Sequence, residues 1–348
     1  MVNKDDYFQA MRGICIICVI LIHCKTGMEF KGNSSLVFNY DYWLIFRQLI
    51  NFPVASFIFL SGYFVNIGIV GENPSAFIYK RGRRILIPYL LWTSFYSLLN
   101  ITLGTEINGK TILTYIFAGG AAAPLYYIVV LMQLILITPV IVKMLDQRWL
   151  NWVCFLVTPL YLVGMYFYNF CTKGQLPLYQ LFFPAWFTFY YLGLYTRKNQ
   201  IFLLLDFKDN KILKSIFFVI VTLSLSILEC YLLLTLDQAF GFAISQLKIT
   251  SFTYAIAVIN LAITLKQYTH KVYSLLIKLG NNSFGIYFIH YFYLIITEKV
   301  LDNLPYLGNV LVIYQLITLF LVISLSYFTI EISRKIFGIK VTNVILGF

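Results

Sequence analysis

The sequence predicts an all-α fold: a polytopic bundle of about ten transmembrane helices. Three observations support this. Only 11% of the 348 residues are charged while 60% are hydrophobic, and the mean hydropathy is +0.80; a soluble domain of this size needs far more wetted surface. Apolar runs recur at about the 20 residues required to cross a ~30 Å hydrocarbon core. The short alternating segments of a β-barrel are absent. A single membrane-embedded domain, 1–348, is therefore expected, without an appended globular module. Eleven residues precede the first span, and its far end, His23-Cys24-Lys25-Thr26-Gly27-Met28, lacks a small-residue cleavage pattern. The first span is thus expected to stay in a mature chain that begins at Met1.

The apolar runs place spans at 12–29, 50–69, 85–103, 124–142, 150–169, 181–196, 215–236, 249–265, 283–300 and 310–330. Tyr42, Trp43 and Arg47 mark 41–49 as an interfacial helix, with a second expected at 200–213 on the opposite face. The mixed segment between Gly104 and Ala123 reads as re-entrant or interfacial. With the N-terminus inside, 19 of the 26 basic residues fall in cytoplasmic segments. An even span count then returns the C-terminus to the cytoplasm as well. Most of the net charge of +12 is accounted for by this bias, and no nucleic-acid-binding motif accompanies it. The partner read from composition is the lipid bilayer, and the location a cell (plasma or inner) membrane crossed many times.

The six cysteines do not form a disulfide framework. Cys15, Cys18, Cys154 and Cys230 lie inside apolar runs, where the thiol packs as a small hydrophobe. Cys15 and Cys18 share a helical turn, but nothing nearby completes a ligand set, so no metal is expected.

Two histidines stand out. Arg12 lies at the start of the first span and His23 eleven residues later, which returns to nearly the same helix face about 16 Å deeper. In the ninth span, His290 belongs to a polar stripe of Ser283, Tyr287, His290 and Thr297 at helical spacing. Ionisable groups inside a membrane are costly, and they mark functional sites or interhelical hydrogen bonds. Two of only three histidines at matching depth suggest a shared site. Lys80-Arg81-Gly82-Arg83-Arg84, just ahead of Pro88, suits either a phosphorylated ligand at the cytoplasmic mouth or the positive-inside rule with anionic lipid. Ser61-Gly62 would permit close helix approach. Glu229, a carboxylate well inside a span, could accept a proton or pair with a cation from a neighbouring helix.

These segments together resemble acyltransferase family 3, whose members include bacterial O-acetyltransferases of surface polysaccharides. Arg12, Gly13 and His23 are similar to the family's Arg-Gly start with its histidine eleven residues on. Pro53 to Tyr63 resembles its P-x-F-F-x-x-S-G-Y segment, Arg81-Gly82-Arg83-Arg84 its R-x-x-R loop, and Ser283 to His290 its late S-x-G-I-Y-x-x-H motif. Two departures stand out: Pro124-Leu125-Tyr126-Tyr127 where many members carry His-Leu-Trp-Phe, and Gln9 where an acidic residue often precedes the arginine. The resemblance implies transfer of an acyl group, most simply acetyl from acetyl-CoA, to a hydroxyl of a surface glycan or lipid-linked saccharide. Under that reading no cofactor is permanently bound. Arg12, Arg81 and Arg84 would hold the donor's phosphates, His23 would act as general base or acyl acceptor, and His290 would orient it, contact the acceptor or serve the structure. The alternative is an exporter of a polysaccharide or acyl intermediate, which ten spans with midplane polar residues would also fit; no inverted repeat or pair of broken spans supports it.

Overall fold

The computed structural model describes residues 4–25, 36–199, 210–266, 273–303 and 311–348. Among them there is no strand, and the chain is a helical membrane protein. Two compact units form, one from Met1–Pro53 with Thr269–Phe348 and the other from Val54–Tyr268. The helices in chain order are α1 (Lys4–His23), α2 (Leu36–Leu49), α3 (Pro53–Tyr63), α4 (Ile67–Glu72), α5 (Pro74–Thr102), α6 (Gly109–Ala118), α7 (Tyr126–Met144), α8 (Arg148–Thr172), α9 (Phe187–Asn199) and α10 (Lys211–Thr235). They continue with α11 (Phe240–Ala243), α12 (Ile249–Lys266), α13 (Ser274–Asn281), α14 (Ser283–Leu301) and α15 (Leu311–Phe337).

Nine helical stretches among the described residues are long and apolar enough to cross a membrane. The expected span at 181–196 differs from these. Its start is a short 3-10 turn, Phe183–Ala185, followed by the 13-residue α9. At about 1.5 Å per residue, α9 alone is shorter than the hydrocarbon core. The irregular backbone ahead of it is satisfied by side chains, as non-helical segments at membrane depth must be. Gln133 donates to Leu181 O at 3.0 Å and accepts from Phe183 N at 3.0 Å; Tyr161 donates to Tyr179 O at 2.6 Å. A shared side for the two termini requires this segment to complete the tenth crossing.

The segment 41–49, expected as an interfacial helix, is helical and lies in α2. α2 belongs to a candidate span, Asp41–Tyr63, and Trp43, Arg47 and Gln48 are buried. Its polar groups bond to the turn that follows it: Arg47 donates to Asn51 Oδ1, and Asn51 donates to Gln48 Oε1 at 3.2 Å. The mixed segment after Gly104 forms α6, tied to α5 by Tyr89, whose hydroxyl reaches the carbonyls of Tyr115 and Ile116. Most of the second interfacial segment expected at 200–213 lies outside the described residues.

Core and lipid faces follow the logic of a membrane bundle. On α8, Trp149, Val153, Leu156, Leu160, Val163 and Phe167 repeat at helical spacing and are all exposed. α10 buries Ser215, Thr222 and Ser226 instead. Its partner α12 meets them through Asn260 to Ser215 at 3.0 Å and Ser251 to Ser226 at 3.1 Å. Without water to drive apolar association, such small polar contacts help join helices. Pro159 removes an N–H from α8, so the carbonyl four residues back loses its usual donor; Thr188 Oγ1 approaches that carbonyl, Phe155 O, at 3.2 Å.

Candidate functional site

In the first unit α1 packs on α13, α14 and α15. α1 and α13 meet backbone to backbone: a Cβ on Gly13 would lie 2.2 Å from Leu276 O, and one on Gly280 would lie 1.7 Å from Gln9 O. Gly13 thus serves helix approach. α1 ends at His23 rather than continuing to residue 29. The end lies beside α14, where the His23 and His290 ring centroids are 5.8 Å apart. The two histidines do meet, as their matching depth suggested. Tyr291 flanks His23 at 6.1 Å, edge to face.

The geometry around His290 settles its tautomer. Nδ1 lies 2.7 Å from Tyr287 O and 3.1 Å from Ile286 O. A carbonyl can only accept, so Nδ1 carries the hydrogen and a neutral ring offers Nε2 as an acceptor. That Nε2 is buried and has no hydrogen-bond partner among the described residues. His290 is fully buried and His23 half-buried, so His23 is the more accessible of the two. The rest of the stripe, Ser283, Tyr287 and Thr297, is buried with it. His290 is the eighth residue of α14, about 10 Å into the helix.

Just past His23 the chain is gripped by residues that the sequence did not bring forward. Lys25 N donates to Glu298 Oε1 at 2.8 Å, and Gln315 Nε2 donates to Lys25 O at 3.3 Å. Lys25 Nζ reaches Asp302 Oδ1 at 2.5 Å, which also accepts from Tyr314 at 3.2 Å. Four side chains of α14, its end and α15 therefore fix the residue two positions beyond His23. The buried Arg47 of α2 is close enough to act electrostatically on His23. Helical spacing within α14 made the histidine stripe visible, whereas Lys25, Glu298 and Arg47 are brought in by tertiary packing.

The predicted donor-binding arginines differ in setting. Arg12, half-buried on α1, donates to Gln9 Oε1 at 3.4 Å, so the residue that departs from the family pattern still supports it. In the second unit, half-buried Arg81 donates to Ser61 O at 3.0 Å and Phe64 O at 3.4 Å, capping the end of α3. Arg84 is exposed. Ser61-Gly62 serves close packing: a Cβ on Gly62 would lie 2.2 Å from Tyr190 O, and one on Gly193 would lie 2.1 Å from Phe59 O.

Glu229 is engaged in joining helices. It accepts from Tyr166, from Thr250 Oγ1 and from Thr250 N, so it caps the first turn of α12 from α10. Fully buried Lys248 lies 4.0 Å from its carboxylate and donates to Ser226 O at 3.0 Å. The cation that could pair with Glu229 is thus Lys248.

A family model described as an acyltransferase domain matches residues 5–331. A relative from Bacillus subtilis (strain 168), named "Putative membrane-bound acyltransferase YfiQ", is 24% identical over 308 residues, covering 84% of this chain and 82% of the relative. No solved structure matches.

Proposed function

Since the chain belongs to acyltransferase family 3 and is a membrane acyltransferase, we propose that it moves an acyl group from acyl-CoA to a hydroxyl of a surface glycan or lipid-linked saccharide. Acetyl-CoA is the donor this reading favours, and a plasma or inner membrane the location. The observation that carries the mechanism is the His23–His290 pair.

The acceptor hydroxyl attacks the thioester carbonyl while His23 takes its proton. The new C–O bond forms, the C–S bond breaks, and the proton passes from His23 to the departing thiolate, which leaves as the CoA thiol. His290, held with Nε2 as acceptor, stabilises the imidazolium that His23 transiently becomes. Arg12, on the same helix as His23, holds donor phosphate by charge-assisted hydrogen bonds. α1 carries Arg12 and His23 about 16 Å apart, a separation suited to an extended pantetheine arm.

The test measures O-acyl groups on surface glycans by NMR in cells with the gene deleted and then restored as wild type or His23→Ala. Loss in the deletion and in His23→Ala, with the variant still inserted, is the expected result. Full acylation by His23→Ala would overturn the mechanism, and unchanged acylation with altered glycan export would favour the exporter.

A further inference from the structure

A polar atom buried in a membrane bundle is costly unless something satisfies it. In the first unit, α15 carries two that no described residue satisfies. Gln315 is 2% exposed, and its Nε2 donates to Lys25 O. A carbonyl can only accept, so the amide orientation is settled and Oε1 is an acceptor. That Oε1 has no hydrogen-bond partner among the described residues. Thr318, one turn on along the same face and fully buried, has a hydroxyl that is likewise unpartnered there. It does not take the carbonyl four residues back, as the hydroxyls of Thr138 and Thr329 do.

Both groups belong to the end of the unit that holds His23. α15 runs antiparallel to α14: Asp302, just past the end of α14, meets Tyr314, and Tyr293, further back on α14, meets Thr329. Lys25 meets Glu298, and His23 meets His290 and Tyr291. The step from Gln315 to Thr318, about 4.5 Å along α15, therefore runs in the direction from Lys25 back to His23. Donor phosphate sits at Arg12, about 16 Å away along α1, so the thioester comes to His23 from that end and the opposite end is left for the acceptor. We infer that Gln315 Oε1 and Thr318 Oγ1 form the subsite that receives the acceptor, binding saccharide hydroxyls next to the one that His23 deprotonates. The inference rests on the reading of acyl transfer to a saccharide. An amide oxygen accepts and a threonine hydroxyl both donates and accepts, which suits neighbouring sugar hydroxyls. A few placed polar groups in apolar surroundings are what fix a ligand's orientation. Asp302 is exposed and Lys25 and His23 are half-buried, so the approach runs past the end of α14.

The experiment follows label from radiolabelled acetyl-CoA in isolated membranes. The added acceptor is surface glycan from the deletion strain, freed of O-acyl groups by mild base. Thr318→Val keeps the shape and removes an unpartnered hydroxyl, so the thermal unfolding midpoint should hold or rise. It should nevertheless raise KM for the glycan about three- to tenfold, in line with loss of one neutral hydrogen bond, and leave KM for acetyl-CoA unchanged. Thr318→Ser should recover the wild-type value. Gln315→Met should raise the same KM and also lower kcat, because Nε2 holds Lys25. Ser326→Ala removes another buried, unpartnered hydroxyl of α15, about 12 Å further on, and should leave KM for the glycan as it is. With a wild type that acylates the glycan, an unchanged KM in both Thr318→Val and Gln315→Met would overturn the subsite and leave the saccharide reading standing. An equal rise in Ser326→Ala would do the same. A rise in KM for acetyl-CoA instead would assign the pair to the donor and overturn its assignment to the acceptor. No label on the glycan from wild-type membranes would overturn the saccharide reading itself, and the subsite with it.

Discussion

Replacing His290 by Phe retains a ring in the buried space and removes both nitrogens. If Nε2 stabilises the imidazolium of His23, the variant loses one hydrogen bond to a charged group, worth about 1.5–3 kcal/mol. At about 1.36 kcal/mol per decade, kcat should fall by roughly 10- to 150-fold. The assay follows initial rates of label transfer from radiolabelled acetyl-CoA to the native acceptor in isolated membranes. A second comparison is sharper. His290 acts through His23, so the double variant with His23→Ala should be no slower than His23→Ala alone, as expected for residues working as a unit. A full-rate His290→Phe enzyme would refute the pairing, as would a double variant slower than His23→Ala by the factor His290→Phe shows by itself.

Other substitutions test the surrounding framework. Glu229→Ala removes the carboxylate beside fully buried Lys248 and the cap from α12, and should cost about 3–5 kcal/mol; thermal unfolding in detergent should show partial recovery in the Glu229→Ala/Lys248→Met double variant. Gly193→Ala places a Cβ 2.1 Å from Phe59 O and should cost about 1–3 kcal/mol by overpacking. Gly71→Ala, with nothing within 4 Å, should stay within about 0.5 kcal/mol by the same measurement. Glu298→Ala removes the acceptor for Lys25 N and should lower the transfer rate at unchanged protein level. Glu298→Gln, whose carbonyl still accepts, should keep most of it.

The helical class was legible because hydrocarbon-length apolar runs and scarce charge leave few other folds. The histidine pair was legible because both residues interrupt apolar helices at matching depth, and an isolated imidazole there needs a partner. Arg47 was legible only as a basic residue beside Tyr42 and Trp43, a pattern that looks interfacial in sequence. Its burial and its bond to Asn51, one turn on, come from packing rather than from local pattern. The segment 181–196 is apolar enough to resemble a span, yet composition cannot separate a full crossing from a short buried helix entered through an irregular turn. Lys25 and Glu298 carry no local signal, since each gains its setting from a helix far away in sequence.

The discontinuity of the first unit has a consequence for biosynthesis. Residues Val54–Tyr268 are contiguous and have all their own partners as soon as they emerge. α1 must wait for α13 and α14, which leave the ribosome only after that whole stretch. At about 5–20 residues per second, the delay is on the order of 10–40 s. During that time Gly13 and His23 face lipid or a chaperone rather than Leu276 and His290. The histidine pair is thus among the last features to form, and a ribosome stalled before α14 releases a chain that is inserted but inert.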